Sequence, residues 1–260
     1  MRLDLYLFTF GYLKSRQKAK DLIENNNVKI DGKLVSKPSF DVNEEIEHTI
    51  EISDNCPYVS RGGLKLEGIL SCAEIDVANK ICLDIGASTG GFTDCLLKKG
   101  AKLVYAVDSG SNQLDISLKN DNRVISIENF NARNINNDVI SDTIDIITID
   151  VSFISQTLIM EKALDLLTNS GVYISLIKPQ FEVGKSNIGK GGIVKDKSAK
   201  ELAINRVVDF ALSKGFICNT IIKSPILGGD GNTEFLAVFS KNGRGISKDL
   251  IKKLINSWWG

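Results

Sequence analysis

The chain has 260 residues, enough to bury a substantial core and to carry one ordinary domain with a small one appended. With 43% hydrophobic and 25% charged residues, no long apolar run and no charged-then-apolar leader at Met1, it reads as a soluble globular protein with no sign of secretion or membrane spanning. A net charge of zero excludes a uniformly basic nucleic-acid binder, while five cysteines without a Cys-x-x-Cys pair and a single histidine, His48, leave a metal site or a Ser-His-Asp triad unsupported and suit free thiols in a reducing cytoplasm.

Residues 1–56 read as a small α+β unit. Leu3, Leu7, Phe10 and Leu13 have the spacing of one helix face, weakened near its end by Gly11. Ser15 is placed to cap a second helix that buries Ala19, Leu22 and Ile23 and projects Arg16 and Lys20, and Asn25-Asn26-Asn27 ends it. Val28-Lys29-Ile30 and Lys33-Leu34-Val35 flank Asp31-Gly32, a hairpin signal, and Ile46, Ile50 and Ile52 suggest a closing strand. Charge is uneven here: residues 1–20 sum to plus four, and residues 41–54 are acidic. Charge alone reads equally as a solvated surface.

The pattern Arg2-Leu3-Asp4, then Ser15-Arg16 with Ala19, Ile23 and Val28-Lys29-Ile30-Asp31-Gly32, resembles the RNA-binding domain named after small-ribosomal-subunit protein S-four. The resemblance covers about a fifth of the chain and implies that Arg2, Lys14, Arg16, Lys18 and Lys20 contact RNA phosphates. The glycine usual before the Val-x-Ile strand is Asn27 here, which would supply the left-handed helix end instead.

Turn formers dominate the following stretch, and the linker is placed at residues 57–63. From residue 64 to 260 the pattern changes. Ile81 to Ile85, Leu103 to Val107, Val124 to Ile127, Ile144 to Ile149 and Val172 to Ile177 read as strands alternating with helical stretches, which implies a mostly parallel α/β sheet. After a helix at about 197–213, Phe216 to Ile222 and Glu234 to Phe239 read as a terminal pair of strands, the last inserted antiparallel.

The loop after the first of these strands is Asp84-Ile85-Gly86-Ala87-Ser88-Thr89-Gly90-Gly91-Phe92. Its glycines let backbone approach a ligand at the carboxyl edge of the sheet. The spacing is not that of a dinucleotide loop, and the acid Asp84 two residues before the first glycine suits a cationic amino-acid moiety better than pyrophosphate. The cofactor expected is S-adenosylmethionine, with Asp108 at the end of the next strand accepting from its ribose hydroxyls. Asn131, after the third strand, stands where the adenine end would lie.

With no other histidine at hand, lysine is the candidate for deprotonating or orienting a weakly acidic hydroxyl. Lys178 ends the fifth strand and Asp150 the fourth, so adjacent parallel strands bring them side by side. Glu234 starts the last strand at the same edge, and Lys65 precedes the first strand by one helix. Each of the four alone reads more readily as a cap or a surface charge than as a catalytic group. Together they resemble the Lys-Asp-Lys-Glu tetrad of the FtsJ-type ribose 2'-O-methyltransferases, in the family order Lys65, Asp150, Lys178, Glu234.

With the N-terminal module, the Tyr58-Val59-Ser60-Arg61-Gly62-Gly63 entry, Asp150-Val151-Ser152-Phe153-Ile154-Ser155 and Lys178-Pro179-Gln180-Phe181-Glu182, the whole chain resembles the TlyA family, whose members are often labelled haemolysins. That resemblance implies a Rossmann-like class I methyltransferase of seven strands behind a small RNA-binding domain, S-adenosylmethionine as donor and 2'-O-methylation of ribosomal RNA cytidine. It also implies an influence on capreomycin susceptibility. An RNA-binding motif starting at Arg2 and a chain stopping at Gly260 match the shorter family form, which modifies the large subunit only; a dual-subunit enzyme is the variant reading. Arg61, and Lys185 and Lys190 in the Gly- and Lys-rich stretch from Glu182 to Lys200, are candidate RNA contacts, the stretch reading as a basic flap or as a plain loop. The competing functions are a non-catalytic ribosome-assembly factor and a nicotinamide-dependent oxidoreductase. No metal, membrane or obligate protein partner is expected.

Overall fold

The computed structural model describes residues 1–13, 15–53, 56–229 and 231–258. Contacts divide the chain into two units, Met1–Pro57 and Tyr58–Gly260.

In the first unit, helices α1 (Leu3–Thr9) and α2 (Arg16–Glu24) pack on each other beside strands β1 (Val28–Ile30), β2 (Lys33–Leu34) and β3 (Ile50–Ile52). The three strands form an antiparallel sheet of order β2-β1-β3. Leu3, Leu7, Ala19, Leu22, Ile23 and Val28 form its core. Helix α1 stops before Gly11, whose φ of +75° no helix accommodates, so Leu13 lies outside it. Ser15 caps α2 by accepting from the Lys18 amide at 3.1 Å. The left-handed residue that ends α2 is Asn26, with φ +60°, and not Asn27. Its amide reaches the Ile23 carbonyl and that of Asn27 the Leu22 carbonyl, a Schellman ending shifted one residue from the expectation. Asp31 and Gly32 both take positive φ, as a two-residue hairpin needs, whereas Ile46 is exposed and outside β3.

The second unit opens with α3 (Gly62–Cys72), so Gly62 and Gly63 of the expected linker lie in a helix. A Cβ at Gly63 would fall 2.2 Å from Tyr58 Cγ, which makes this glycine a packing requirement. There follow β4 (Ile81–Ile85), α4 (Gly91–Lys98), β5 (Leu103–Val107), α5 (Ile116–Lys119), β6 (Val124–Ile127), β7 (Ile144–Ile149), α6 (Thr157–Leu164) and β8 (Leu167–Ile177). The unit closes with α7 (Pro179–Glu182), α8 (Lys197–Ser213), β9 (Ile217–Lys223), β10 (Phe235–Ser240) and α9 (Lys248–Ser257). The seven strands form one sheet of order β6-β5-β4-β7-β8-β10-β9 in which β10 alone runs against the other six, the expected α/β architecture. Strand β8 starts at Leu167 rather than Val172 because Thr168-Asn169-Ser170-Gly171 bulge out of the ladder: Ile144 pairs with Leu167, and Ile146 already with Val172. The core lies on the sheet, with Leu83, Ile85, Ile147, Ile149, Tyr173 and Phe235 among its fully buried side chains. Among the described residues no helix is long and apolar enough to cross a membrane.

Candidate active site

Strand order reverses beside β4, and the carboxyl ends of β4, β5, β6 and β7 open there onto a cavity of about 560 Å³, within the range of small-molecule sites. Gly86 and Ser88 line it from the first loop, Asp108, Ser109 and Gln113 from the second, Asn129 to Arg133 from the third, and Asp150 to Ile154 from the fourth.

Only part of the Asp84 to Phe92 segment faces this cavity. Gly86 does, with φ +84° and a missing Cβ that would sit 2.2 Å from the Asp150 carbonyl oxygen. Ser88, also left-handed, donates its amide to Asp108 Oδ2 at 2.8 Å, and the Gly110 amide reaches Oδ1 at 2.7 Å. These amides fix the Asp108 carboxylate on the cavity wall with lone pairs to spare. Ala87, Thr89, Gly90, Gly91 and Phe92 do not line the cavity. A Cβ at Gly90 would strike Leu118 at 2.2 Å and one at Gly91 would strike Ser60 Oγ at 2.3 Å, so these two glycines serve close helix packing, and Phe92 belongs to the core.

Asp84 corrects the expectation most. It is fully buried at the base of the loop and accepts from Thr93 Oγ1 at 2.7 Å and Thr148 Oγ1 at 2.9 Å, rather than facing a ligand. Burial pushes its carboxyl up to about 6, against the two hydroxyl donors, with the nearby Asp150 charge adding to the rise.

Beside the cavity, the four tetrad residues form two ion pairs. Lys178 Nζ lies 2.5 Å from Asp150 Oδ1 and donates to Ser152 Oγ at 2.9 Å. Lys65 Nζ donates to Glu234 Oε2 at 2.6 Å, with both residues buried. Register brings the pairs to one edge, because Ile177 and Phe235, the neighbours of Lys178 and Glu234, are partners across β8 and β10. The Asp150 amide bonds the Ile85 carbonyl, which ties this edge to the glycine loop. Gly228 leaves room for Glu234: a Cβ there would come within 2.5 Å of Oε1.

Asn131 lines the cavity, and its side chain caps the short turn Ala132–Asn134 by accepting from the Arg133 amide. Sequence reasoning missed Gln113, Phe130 and Phe153. Gln113 and Phe130 carry no sequence signal; Asn112 and Asn129 beside them, both at positive φ, are turn residues that could have marked these loops. Phe153 is 92% exposed with φ +66°, and its ring lies 5.3 Å from that of Phe181.

In the first unit, Arg2 Nε and Arg16 Nε bond the two oxygens of the fully buried Asp4 at 2.9 and 2.8 Å, leaving about half of each arginine side chain exposed. Lys18 and Lys20 are half-buried, and Lys14 lies outside the described residues. In the second unit, Arg61 is half-buried while Lys185 and Lys190 are exposed. Lys200, at the end of the same basic stretch, is buried and does not belong to a solvent-facing surface. The stretch is anchored: the buried Asn232 side chain accepts from the Val194 amide at 2.9 Å and donates to the Gly192 carbonyl at 3.0 Å.

Residues 58–241 match the profile of the FtsJ-like methyltransferase family, and residues 1–45 that of the S4 domain. Hemolysin A of Brachyspira hyodysenteriae is 48% identical over 242 residues, covering 92% of this chain and 99% of that one. A Mycobacterium tuberculosis protein named 16S/23S rRNA (cytidine-2'-O)-methyltransferase TlyA is 38% identical over 234 residues, 90% of this chain and 87% of that one. A Campylobacter jejuni protein named 23S rRNA (cytidine-2'-O)-methyltransferase TlyA is 37% identical over 249 residues, 88% of this chain and 95% of that one.

Proposed function

We propose, from the premise that this chain belongs to the TlyA group of the FtsJ-like methyltransferase family, that it methylates the ribose 2'-hydroxyl of a cytidine in ribosomal RNA. The observation that carries the proposal is the pairing of Lys178 with Asp150 and of Lys65 with Glu234 at one edge of the cavity.

S-adenosylmethionine supplies an electrophilic methyl group when bound. The cavity suits it in volume and in chemistry, with the Asp108 and Asp150 carboxylates, the bare backbone of Gly86 and the apolar Val107, Phe130 and Ile159 on its walls. Asp108 would hold ribose hydroxyls, Asn131 would stand at the adenine end, and Gly86 would pass close to the amino-acid moiety. Among the chain's own groups, Lys178 is the one to orient the substrate hydroxyl and, as the amine, to take its proton. Asp150 and Ser152 fix the nitrogen, and the carboxylate stabilises the ammonium that results. Glu234 and Lys65 neutralise each other beside it, which keeps the second buried pair free of net charge. Arg2, Arg16, Lys18 and Lys20 in the first unit, and Arg61, Lys185 and Lys190 in the second, would neutralise RNA phosphates.

The large subunit is the proposed target, because 23S rRNA is common to the names of the mycobacterial and Campylobacter relatives. An influence on susceptibility to capreomycin-class antibiotics belongs to the same proposal. Purified protein is expected to transfer labelled methyl from S-adenosylmethionine to unmodified ribosomal RNA, and Lys178→Ala to lose transfer while still binding RNA. Unchanged transfer by that variant would remove the lysine from its role, and a wild type that binds RNA without transfer would favour an assembly factor. Mass spectrometry of ribosomal RNA from cells with and without the gene identifies base, sugar position and subunit together.

A further inference from the structure

Glu182 is a carboxylate that the proposed chemistry does not use, yet it is buried to 2% exposure at the far end of the four-residue helix that follows Lys178. Burying a carboxylate is costly unless its oxygens are satisfied, so its presence calls for a task that an apolar side chain fails to do. It is the last residue of α7, the short helix that begins directly after Lys178. Its two oxygens reach across to the end of the β7–α6 loop: Oε2 accepts from Ser155 Oγ at 2.6 Å and Oε1 from the Gln156 amide at 3.0 Å. Gln156, itself buried, then accepts from Ser175 Oγ at 2.6 Å and donates to the Leu176 carbonyl at 3.3 Å, both on β8. Arg206 holds the other side of Glu182 by donating to its main-chain carbonyl at 2.7 Å.

The loop pinned in this way runs from Asp150 to Ser155. Its first residues grip Lys178, through Asp150 and Ser152. Between them and Ser155 stands Phe153 at φ +66°, a conformation that a bulky side chain adopts only under constraint. One end of the loop is fixed by the Asp150 amide on the Ile85 carbonyl. The other end is fixed by Glu182, whose two carboxylate oxygens accept from a hydroxyl and an amide together.

We propose that Glu182 is a positioning residue for methyl transfer, holding the Asp150–Ser155 loop in the constrained form in which Asp150 and Ser152 grip Lys178. The proposal rests on the methyl-transfer function given above. Full-length wild type, Glu182→Met, Ser155→Ala and the double variant are assayed side by side with labelled S-adenosylmethionine and unmodified ribosomal RNA. Glu182→Met keeps most of the bulk and removes both acceptors, so the Ser155 hydroxyl and the Gln156 amide lose their partner; its kcat is expected to fall by about tenfold or more with KM for RNA within about twofold, since a displacement near 1 Å is enough for such a loss. Ser155→Ala is expected to lose less, and the double variant to be no worse than Glu182→Met alone. Should Glu182→Met fail to fold, Ser155→Ala decides: a lowered kcat at unchanged KM supports the assignment and an unchanged kcat overturns it. An active wild type beside an equally active Glu182→Met overturns the assignment alone. A wild type without transfer overturns the function and the assignment with it.

Discussion

Replacing Asp84 by asparagine isolates the electrostatic cost of the buried acid under the cavity. A carboxyl held at about 6 instead of its ordinary value near 4 binds its proton more tightly by about 3 kcal/mol. Between these values the folded protein keeps a proton that the unfolded chain has released. Stability therefore falls as pH rises from about 4 to about 6, by about 3 kcal/mol, and the loss persists at neutral pH. Asparagine has the same shape, accepts from one threonine hydroxyl and donates to the other once that hydroxyl turns, and carries no charge to desolvate. Asp84→Asn is accordingly expected to lack this downward step and to equal or exceed the wild type in stability at pH 7. Urea unfolding across pH 4 to 8 measures it, followed by tryptophan fluorescence, since the Trp258 ring stacks on the buried Phe235 of the second unit. Parallel pH dependence in the two proteins would refute the account of Asp84 as a buried, destabilised acid.

Three further perturbations test other parts of the site. Gly86→Ala combines a positive φ with a Cβ 2.2 Å from the Asp150 carbonyl oxygen; it should cost about 2 kcal/mol or more and weaken S-adenosylmethionine binding at least tenfold by calorimetry, and a variant matching the wild type in both would remove the close-approach argument. Lys65→Ala strands the carboxylate of Glu234, which is 3% exposed, so denaturant unfolding at pH 8 should show a loss of about 3 kcal/mol, part of it regained on adding Glu234→Gln; no regain would contradict the pairing. Arg16→Ala should lower the slope of log affinity against log salt for ribosomal RNA by about one, and an unaltered slope would exclude Arg16 from phosphate contact.

Elements whose residues alternate or repeat with a clear period were legible in the sequence. Ile81–Ile85, Leu103–Val107 and Ile144–Ile149 occupy the expected residues because strands buried on both faces are near-continuous apolar runs bounded by turn formers. The left-handed end of α2 fell on Asn26 instead of Asn27 because three consecutive asparagines are chemically equivalent candidates. The placement of Asp150, Lys178 and Glu234 at one sheet edge followed from strand ends and crossover direction, whereas Lys65, on a helix, was joined to them by the resemblance to the Lys-Asp-Lys-Glu tetrad. What a side chain at a strand end faces did not follow. Asp84 and Asp108 both close or nearly close a strand, yet one is sealed beneath the loop by two threonines and the other is presented on the cavity wall by two amides. The glycines at 86, 90 and 91 likewise share a motif and differ in purpose, since what a missing Cβ would strike depends on helices and loops far along the chain.

The pairing of Lys65 with Glu234 spans 169 residues of sequence, and the strand that delivers Glu234 must slot between β8 and β9 against their direction. During synthesis, at roughly 5–20 residues per second, the growing polypeptide exposes its cavity loops and Lys178 several seconds before that strand emerges. Until it docks, β8 has a bare edge and Lys65 has no carboxylate to meet. A nascent chain thus lacks the Lys65–Glu234 pair until β10 has entered the sheet, long after the residues of the cavity loops have been made.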